Sequence, residues 1–256
     1  MNDSCQINIR SSDLEFPRVL AVTEQDIDIS MLNARQRQFY IDLFKSFIEA
    51  YTKQGQARTI IGIAGPTGAG KSVMTSLFVA LAKQVALPFQ FKVVTIDAFH
   101  YTNAELQSKT TTSGGSLREH KGRYDTYDTS KLKTALTSFL NGEAVEFPAY
   151  SRKLHNPVEA AINIQDEKCL LVIEGLWLLY GQFGWEAVRN MLNFTVFVTA
   201  DKDRVRDAVL KRHINGGKTK EQAEKHYKNV DGVNFDIVMA TRFEADQVIP
   251  PYYELV

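Results

Sequence analysis

The sequence predicts an α/β fold of three layers, in which a mostly parallel sheet has helices on both faces and a small lid over one end. Two observations support this fold. Short apolar runs alternate with longer stretches whose apolar residues recur at helical spacing. One run leads directly into the glycine-rich octapeptide GPTGAGKS and then into a helical pattern. The predicted strands are residues 59–64, 91–96, 169–173, 194–199 and 246–249, and the predicted helices are 70–86, 130–140, 185–191, 201–213 and 219–229.

Residues 1–55 are predicted to form an N-terminal arm and a helix packed on the core, and residues 56–256 to form the main domain. The first 29 residues are mixed and polar, with one short apolar run, Val19–Val22, so an extended arm or an edge strand is expected. Ser30 stands where a helix cap is needed, and the helix is expected to continue to about Tyr51. Its aromatic and aliphatic residues share one face, which predicts core packing.

The bulk composition argues against several classes of protein. The 256 residues contain 30 basic and 30 acidic side chains, so no net charge draws the chain to nucleic acid or to an anionic membrane. No apolar run approaches membrane-spanning length, and no leader pattern opens the sequence. Cys5 and Cys169 do not have zinc-site spacing, and a disulfide is not expected. We therefore expect a cytoplasmic protein with no nucleic acid or membrane partner, and we leave a homodimer open.

The octapeptide is a complete Walker A motif, which predicts a site for a nucleoside triphosphate and Mg²⁺. Its three glycines let backbone N–H groups turn towards phosphate oxygens. Its lysine supplies positive charge to the β- and γ-phosphates, and its serine supplies a hydroxyl to the metal. The helix that follows favours anions at its N-terminus. The predicted nucleotide-binding residues of this loop are Gly65, Pro66, Thr67, Gly68, Ala69, Gly70, Lys71 and Ser72.

Two acidic residues follow predicted strands at the edge where parallel sheets bind their ligands. Asp97 comes directly after the strand 91–96, and we expect its carboxylate to accept a proton from an attacking hydroxyl group. Glu174 closes the strand 169–173 and is expected to hold Mg²⁺ through water or to orient the nucleophile. Capping of a turn or a helix is the alternative for both. With Lys71, these two acids are the predicted catalytic residues.

Several further stretches, in a fixed order between residues 58 and 249, resemble those of one kinase family. Together with the Walker A motif they make the chain similar to the P-loop small-molecule kinases that include uridine kinase, phosphoribulokinase and type I pantothenate kinase. The first 55 residues lie outside the resemblance. The matching stretches are GIAGPTGAGKS at 62–72, TIDAFHYTN at 95–103, HKGRYDTYDTSKL at 120–132, EFPAYSR at 146–152, LVIEGLWLL at 171–179 and VNFDIVMATRFEADQVI at 233–249.

The resemblance implies a P-loop NTPase fold, ATP and Mg²⁺ as cofactors, Asp97 as the catalytic base, and Ser72 and Glu174 as the metal-binding residues. It also implies a mobile lid around residues 204–220, where cations would stabilise the transferring phosphoryl group. Arg204 and Arg212 are the lid residues predicted to contact the nucleotide. The predicted substrate-binding residues are Asp97, Arg123, Tyr127, Tyr150 and Arg152.

The favoured function is transfer of the γ-phosphoryl group of ATP to a hydroxyl of a small polar metabolite, such as a sugar, a nucleoside or a vitamin-like alcohol. Two alternatives stay open. A nucleotide kinase with a phosphate acceptor needs convergent cations, which Arg118, Lys121, Arg123 and Arg152 offer. A regulatory ATP-binding protein would bind ATP without transfer. The loop 110–116, TTTSGGS, is predicted to be a flexible loop over the site.

Overall fold

Strands and helices alternate along most of the chain. The computed structural model describes residues 7, 9–22, 24–111 and 115–251, so Cys5 and residues 112–114 of the predicted flexible loop lie outside the described residues. The strands are β1 (Val19–Val22), β2 (Gln25–Asp28), β3 (Arg58–Ala64), β4 (Gln90–Thr95), β5 (Val145–Ser151), β6 (Asn156–Ile164), β7 (Cys169–Gly175), β8 (Phe194–Val198) and β9 (Gln247–Ile249). The helices are α1 (Ala34–Gln54), α2 (Lys71–Ala82), α3 (Asn103–Ser108), α4 (Thr129–Leu140), α5 (Trp185–Arg189), α6 (Lys202–Asn215), α7 (Lys220–His226) and α8 (Gly232–Ala240).

The described residues form a five-stranded parallel sheet in the order β4-β7-β3-β8-β9. Side chains of the central strand β3 alternate between two apolar layers. Ile61 and Ile63 pack in the layer that contains α1 and α2. Ile60 and Ala64 pack in the opposite layer, with α4 and α5. Helices therefore cover both faces of a parallel sheet, which confirms the predicted α/β fold. Across the described chain, no helix is long and apolar enough to cross a bilayer.

The register of three neighbouring strands determines where the functional residues lie. In the parallel pairing of β3 with β7, Ala64 is opposite Gly175, and in the pairing of β4 with β7, Thr95 is opposite Glu174. The Walker A loop follows β3, and Asp97 lies in a short 3₁₀ turn that follows β4. The carboxyl ends of β3, β4 and β7 therefore meet at one edge of the sheet.

The N-terminal segment contains a hairpin and one long helix. β1 and β2 form a two-stranded antiparallel sheet of their own. The predicted cap at Ser30 is wrong, because α1 begins after Asn33 in a reciprocal capping box. The Asn33 side chain accepts from the N–H of Gln36, and the Gln36 side chain accepts from the N–H of Asn33, both at 2.9 Å. The apolar face of α1 packs on α2, with its Phe47 ring 5.3 Å from the Phe78 ring.

A second antiparallel hairpin, β5–β6, was not among the predicted strands and forms a sheet of its own next to the 3₁₀ turn after β4. The segment 120–127 is held nearby by two fully buried tryptophans. The indole N–H of Trp177 donates to the Gly122 carbonyl, and that of Trp185 donates to the Tyr124 carbonyl, both at 3.0 Å. These bonds explain why the two tryptophans are buried without an unpaired polar atom.

The predicted helix 219–229 is divided in the structure. α7 ends at His226, and one π-helical turn, Tyr227–Asp231, joins it directly to α8. Helix α8 was not predicted. A π turn widens the helix locally and such turns are frequent at functional sites. Here the turn brings Asp231 against the end of α6.

Gly175 provides a test of the packing that positions the end of β4. A Cβ atom at this position would meet three carbon atoms of the buried Ile96 side chain at under 3.0 Å. Because Ile96 is branched and fully buried, we expect Gly175→Ala to reduce the free energy of unfolding by about 1–3 kcal/mol through overpacking. Chemical denaturation of the wild type and the variant measures this difference.

The control is Gly181→Ala, because a Cβ atom at Gly181 would meet nothing within 4 Å. This substitution is expected to change the unfolding free energy by less than about 0.5 kcal/mol. Equal stability of the Gly175→Ala variant and the wild type would contradict the close packing of β7 on Ile96.

Candidate active site

A cleft of about 1460 Å³ opens at the carboxyl edge of the sheet. The Walker A loop, the ends of β4 and β7, the segment 120–127, the end of β5, the lid and the β1–β2 hairpin all contribute to its lining. Most of the sequence-predicted site residues therefore face one space. Those that line the cleft are Thr67, Gly68, Gly70, Lys71, Ser72, Asp97, Tyr127, Tyr150, Arg152, Glu174 and Arg212.

The backbone of the Walker A loop requires glycine, as Gly70 and Gly65 show. Gly70, the residue that precedes α2, has a φ of 90°, a conformation that side chains rarely adopt. At Gly65, a Cβ atom would collide with the backbone carbonyl oxygen of Val198 on the neighbouring strand. The loop can therefore turn sharply between β3 and α2, and its N–H groups remain available to an anion at the start of the helix.

Lys71 is a buried cation inside this loop, only 7% exposed. Its Nζ donates to the carbonyl oxygens of Gly65 and Pro66, at 2.8 and 2.9 Å. Burial lowers the pKa of Lys71, and the nearby carboxylates of Glu174 and Asp97 oppose that shift. An anionic phosphate chain in the loop would compensate the buried ammonium, as the motif predicts.

Glu174 and Ser72 form the second part of the site. The Ser72 hydroxyl donates to Glu174 Oε1 at 2.8 Å, which connects the first turn of α2 to the end of β7. Burial raises the pKa of Glu174, and the adjacent Lys71 lowers it. A hydroxyl oxygen and a carboxylate oxygen are the donors that Mg²⁺ prefers, so this pair fits the predicted metal role.

Asp97 presents a partly exposed carboxylate to the same cleft, with 41% of its side chain accessible. The hydroxyl of Tyr127 donates to Asp97 Oδ1 at 3.4 Å. Burial and the nearby Asp97 charge raise the pKa of Tyr127 well above its usual value, so the phenol stays protonated and remains a donor. Tyr127 thus orients one oxygen of Asp97 and leaves the other for a ligand.

His100 was not among the predicted site residues, yet its ring lies beside Asp97. It stacks on the ring of Tyr127, with the centroids 3.8 Å apart, and its Nδ1 donates to the Thr126 carbonyl at 3.0 Å. Burial lowers the pKa of His100 to about 4, so the imidazole is neutral at pH 7. Its unprotonated Nε2 is 4.0 Å from Asp97 Oδ1 and therefore does not neutralise the carboxylate.

Lys121 is a second, partly buried cation in the cleft. Its Nζ donates to Asn103 Oδ1 at 2.9 Å and to the His155 carbonyl at 2.6 Å, and it lies 5.5 Å from the centre of the Tyr150 ring. Burial lowers the pKa of Lys121 to about 8. From the sequence, Lys121 was only one of several cations that could bind a phosphate acceptor. Its contacts with Asn103 and His155 could not be predicted, because these residues are distant in the chain.

The predicted lid segment, residues 204–220, lines the cleft through the end of α6 and the turn that follows. Arg212 lies within electrostatic range of Asp97, Arg152 and Asp231. The end of α6 is tied to the π turn by His213, whose Nε2 is 2.8 Å from Asp231 Oδ2. Gly217, with a φ of 93°, ends the helix through an N–H bond to the Ile214 carbonyl.

Outside the Walker A loop, two predicted site residues, Arg123 and Arg204, do not line the cleft. The guanidinium of Arg123 donates to both oxygens of Asp125, at 2.7 and 2.6 Å. This pairing is visible in the sequence, since Asp125 is two residues away. Arg204 lies in the exposed first turn of α6, where its backbone N–H bonds to the capping Asp201. A contact of either arginine with substrate or nucleotide stays a prediction. The remaining predicted loop residues, Gly65, Pro66 and Ala69, belong to the Walker A backbone between β3 and α2.

Comparison with known proteins identifies the family. The profile of the Phosphoribulokinase / Uridine kinase family matches residues 60–250, so the chain belongs to this family. The chain is 30% identical over 198 residues to the uncharacterized protein YggC of Escherichia coli K12, covering 77% of this chain and 80% of YggC. It is 29% identical over 205 residues to the uridine kinase of Halalkalibacterium halodurans, covering 77% of this chain and 87% of that enzyme.

A solved structure supports the fold. A candidate fructose transport system kinase from Silicibacter sp. TM1040 has a TM-score of 0.71 at 22% identity, covering 82% of this chain and 98% of that chain. The family and the fold together confirm the class that the sequence predicted. The chain is a P-loop small-molecule kinase, an ATP-dependent phosphotransferase with an alcohol group as its acceptor.

The buried, neutral His100 predicts a specific dependence of stability on pH. Because its pKa is about 4 in the folded chain and about 6.5 when unfolded, the unfolded chain binds the proton first as the pH falls. This contribution to stability is therefore complete above the unfolded pKa and is lost as the pH falls towards 4. We expect a loss of about 1–3 kcal/mol of unfolding free energy from His100 between pH 7 and about 4.5.

His100→Gln tests this dependence. The variant is expected to lose less unfolding free energy than the wild type over the same pH range, whatever its stability at pH 7. Chemical denaturation at a series of pH values measures both slopes. Identical slopes would mean that His100 is not kept neutral by burial.

Proposed function

We propose that the chain transfers the γ-phosphoryl group of MgATP to a hydroxyl of a small polar metabolite, with Asp97 as the general base. The proposal is supported mainly by one observation. The partly exposed Asp97 carboxylate and the Walker A loop open onto the same cleft, at adjacent strand ends. An alcohol bound beside Asp97 would therefore face the phosphate chain of a nucleotide in the loop.

In the proposed step, the acceptor oxygen attacks the γ-phosphorus as its proton passes to Asp97. A new oxygen–phosphorus bond forms while the bond from the γ-phosphorus to the bridging oxygen of ADP breaks. Tyr127 holds Asp97 Oδ1 in position, and the neutral His100 leaves the negative charge of the carboxylate intact. A carboxylate with this freedom can take the proton that the acceptor loses.

The nucleotide would be held by the loop N–H groups and by Lys71, with Arg212 reaching the transferring group from the lid. Ser72 and Glu174 are the residues that would hold Mg²⁺. The metal supplies charge neutralisation at the phosphate oxygens when it is bound. Glu174, at the end of β7, and Ser72, in the first turn of α2, would orient that site from two rigid elements.

Asp97→Asn tests the role of the base. The amide keeps the shape of the side chain but cannot accept the proton, so we expect kcat to fall by roughly two to four orders of magnitude. ATP binding should persist, because Asp97 lies outside the Walker A loop. Acceptor-stimulated ADP formation measures the rate, and titration with a fluorescent ATP analogue measures binding.

The control is Asp26→Asn, an exposed residue of β2 that does not line the cleft. It is expected to retain the wild-type rate. Near-normal turnover in the Asp97→Asn variant would remove Asp97 as the base. Tight ATP binding with no stimulation by any alcohol would favour a regulatory ATP-binding protein.

Glu174→Gln tests the metal site. Removing the carboxylate charge beside Ser72 should raise the Mg²⁺ concentration needed for half-maximal rate by roughly 10- to 100-fold. Rates are measured across a Mg²⁺ titration at saturating ATP. An unchanged Mg²⁺ requirement would show that Glu174 does not serve the metal.

A further inference from the structure

The part of the cleft that is lined by Asp97, Lys121, Tyr150 and Arg152 is called here the acceptor end. Asp97 is the acid that acts on Lys121 electrostatically, but it makes no direct contact with this lysine among the described residues. Within the described ranges, neither Lys121, Arg152 nor the neighbouring Arg118 forms an ion pair with a carboxylate. A cation that is removed from water without a counter-charge destabilises the fold, unless a bound anion compensates its charge.

Lys121 gives the strongest evidence, because it is partly buried and the contacts of its ammonium group are defined. Both oxygens that accept from its Nζ are neutral, one an amide of Asn103 and the other the carbonyl of His155. Neutral partners satisfy the hydrogen-bonding capacity of an ammonium in part but leave its charge uncompensated. The low pKa of Lys121 agrees with that deficit.

The carboxylates nearby are engaged elsewhere. Glu24, in the turn of the β1–β2 hairpin, accepts from the Ser151 hydroxyl and from the N–H of Lys153, each at 2.9 Å. Asp97 accepts from Tyr127 and is assigned to the acceptor hydroxyl under the proposed function. Glu119 lies exposed at the rim of the cleft. The chain therefore leaves the charges of Lys121 and Arg152 for a ligand.

We propose that the phosphoryl acceptor carries an anionic group, a carboxylate or a phosphate, which Lys121 and Arg152 bind while its hydroxyl lies at Asp97. This inference rests on the proposed function. Charge-assisted hydrogen bonds to a lysine and a planar guanidinium suit either anion. The Tyr150 ring lies 5.5 Å from Lys121 Nζ, and Asp97 lies within electrostatic range of both Lys121 and Tyr150, so the anion site and the base belong to the same part of the cleft. A small hydroxy acid or sugar phosphate carries both the anionic group and the hydroxyl that such a site requires.

Matched pairs of alcohols test the charge of the acceptor. Each pair differs in the anionic group: D-glycerate against glycerol, pantothenate against pantothenyl alcohol, and fructose 6-phosphate against fructose. The first two pairs test a carboxylate, and the third tests a phosphate. Acceptor-stimulated ADP formation by the wild-type protein is the readout. We expect kcat/KM for at least one anionic member to exceed that of its neutral partner by roughly 100-fold or more.

Two variants connect that preference to the side chains. Lys121→Met and Arg152→Met should each raise KM for the preferred anionic acceptor by roughly 10- to 100-fold and leave KM for ATP at the wild-type value. Lys121→Arg retains the charge and should recover part of the affinity. The matched control is Lys133→Met, on the exposed surface of α4 outside the cleft, which should behave as the wild type.

Binding of an anion at Lys121 can also be measured without turnover. Brief acetylation followed by mass spectrometry reports how reactive the Lys121 amine is, and an anion bound there should protect it. Millimolar D-glycerate, pantothenate or fructose 6-phosphate should slow acetylation of Lys121 severalfold, while the neutral partners should not. Lys133 serves as the internal reference in the same digest.

The outcomes separate this inference from the proposed function. A neutral alcohol that is phosphorylated as efficiently as its anionic partner would overturn the anionic acceptor and leave the kinase proposal intact. Failure of all three anions to protect Lys121 would overturn it as well. Protection of Lys121 without ADP formation from any alcohol would contradict the proposed function, and the anionic acceptor with it.

Discussion

The site depends on the parallel pairing of three strands, β4, β7 and β3. Parallel pairing puts all carboxyl ends at one edge, and the register aligns Ala64 with Gly175 and Thr95 with Glu174. The Walker A loop follows the end of β3 directly, Glu174 lies at the end of β7, and Asp97 follows β4 closely, so no long loop has to bring them together. The strands of the sheet hold these residues in fixed relative positions, and phosphoryl transfer depends on such positioning.

Burial determines the charge state of the groups around that edge. Lys71 and Glu174 lie buried within electrostatic range of each other, and each opposes the pKa shift that burial imposes on its neighbour. His100 differs from this pair, because burial lowers its pKa and keeps the ring neutral beside Asp97. Lys121, with a pKa lowered to about 8, stays mostly protonated at pH 7 and forms no ion pair among the described residues. That difference is why we assign Lys121 to a ligand rather than to the stability of the fold.

Much of the fold follows from local sequence. The apolar runs before Gly65 and Asp97 predicted β3 and β4, because buried parallel strands need nearly continuous apolar residues. The cap of α1 was misplaced, because Ser30 alone resembles a cap while Asn33 works together with Gln36. The hairpin β5–β6 was missed, since its charged and polar residues and the irregular pairing between Phe147 and Ala149 obscure a strand pattern.

The site was predictable where a motif is contiguous and unpredictable where it is assembled across the chain. The Walker A residues are read from one octapeptide. In contrast, Lys121 is held in the cleft by Asn103 and His155, and His100 is held by Thr126 and Tyr127. A neighbouring charge can also mislead a prediction made from a motif. Arg123 was predicted to bind substrate, but its guanidinium donates to the nearby Asp125. Contacts between distant segments are set by tertiary packing, which residue spacing does not encode.

The most direct test is a crystal structure of the protein with a non-hydrolysable ATP analogue, Mg²⁺ and a phosphorylatable alcohol. We expect the reacting hydroxyl oxygen to lie about 2.6–3.2 Å from a carboxylate oxygen of Asp97, opposite the bridging oxygen of the γ-phosphorus. An alcohol whose hydroxyl contacts another side chain, with Asp97 directed away from the γ-phosphate, would contradict the assignment of Asp97 as the base.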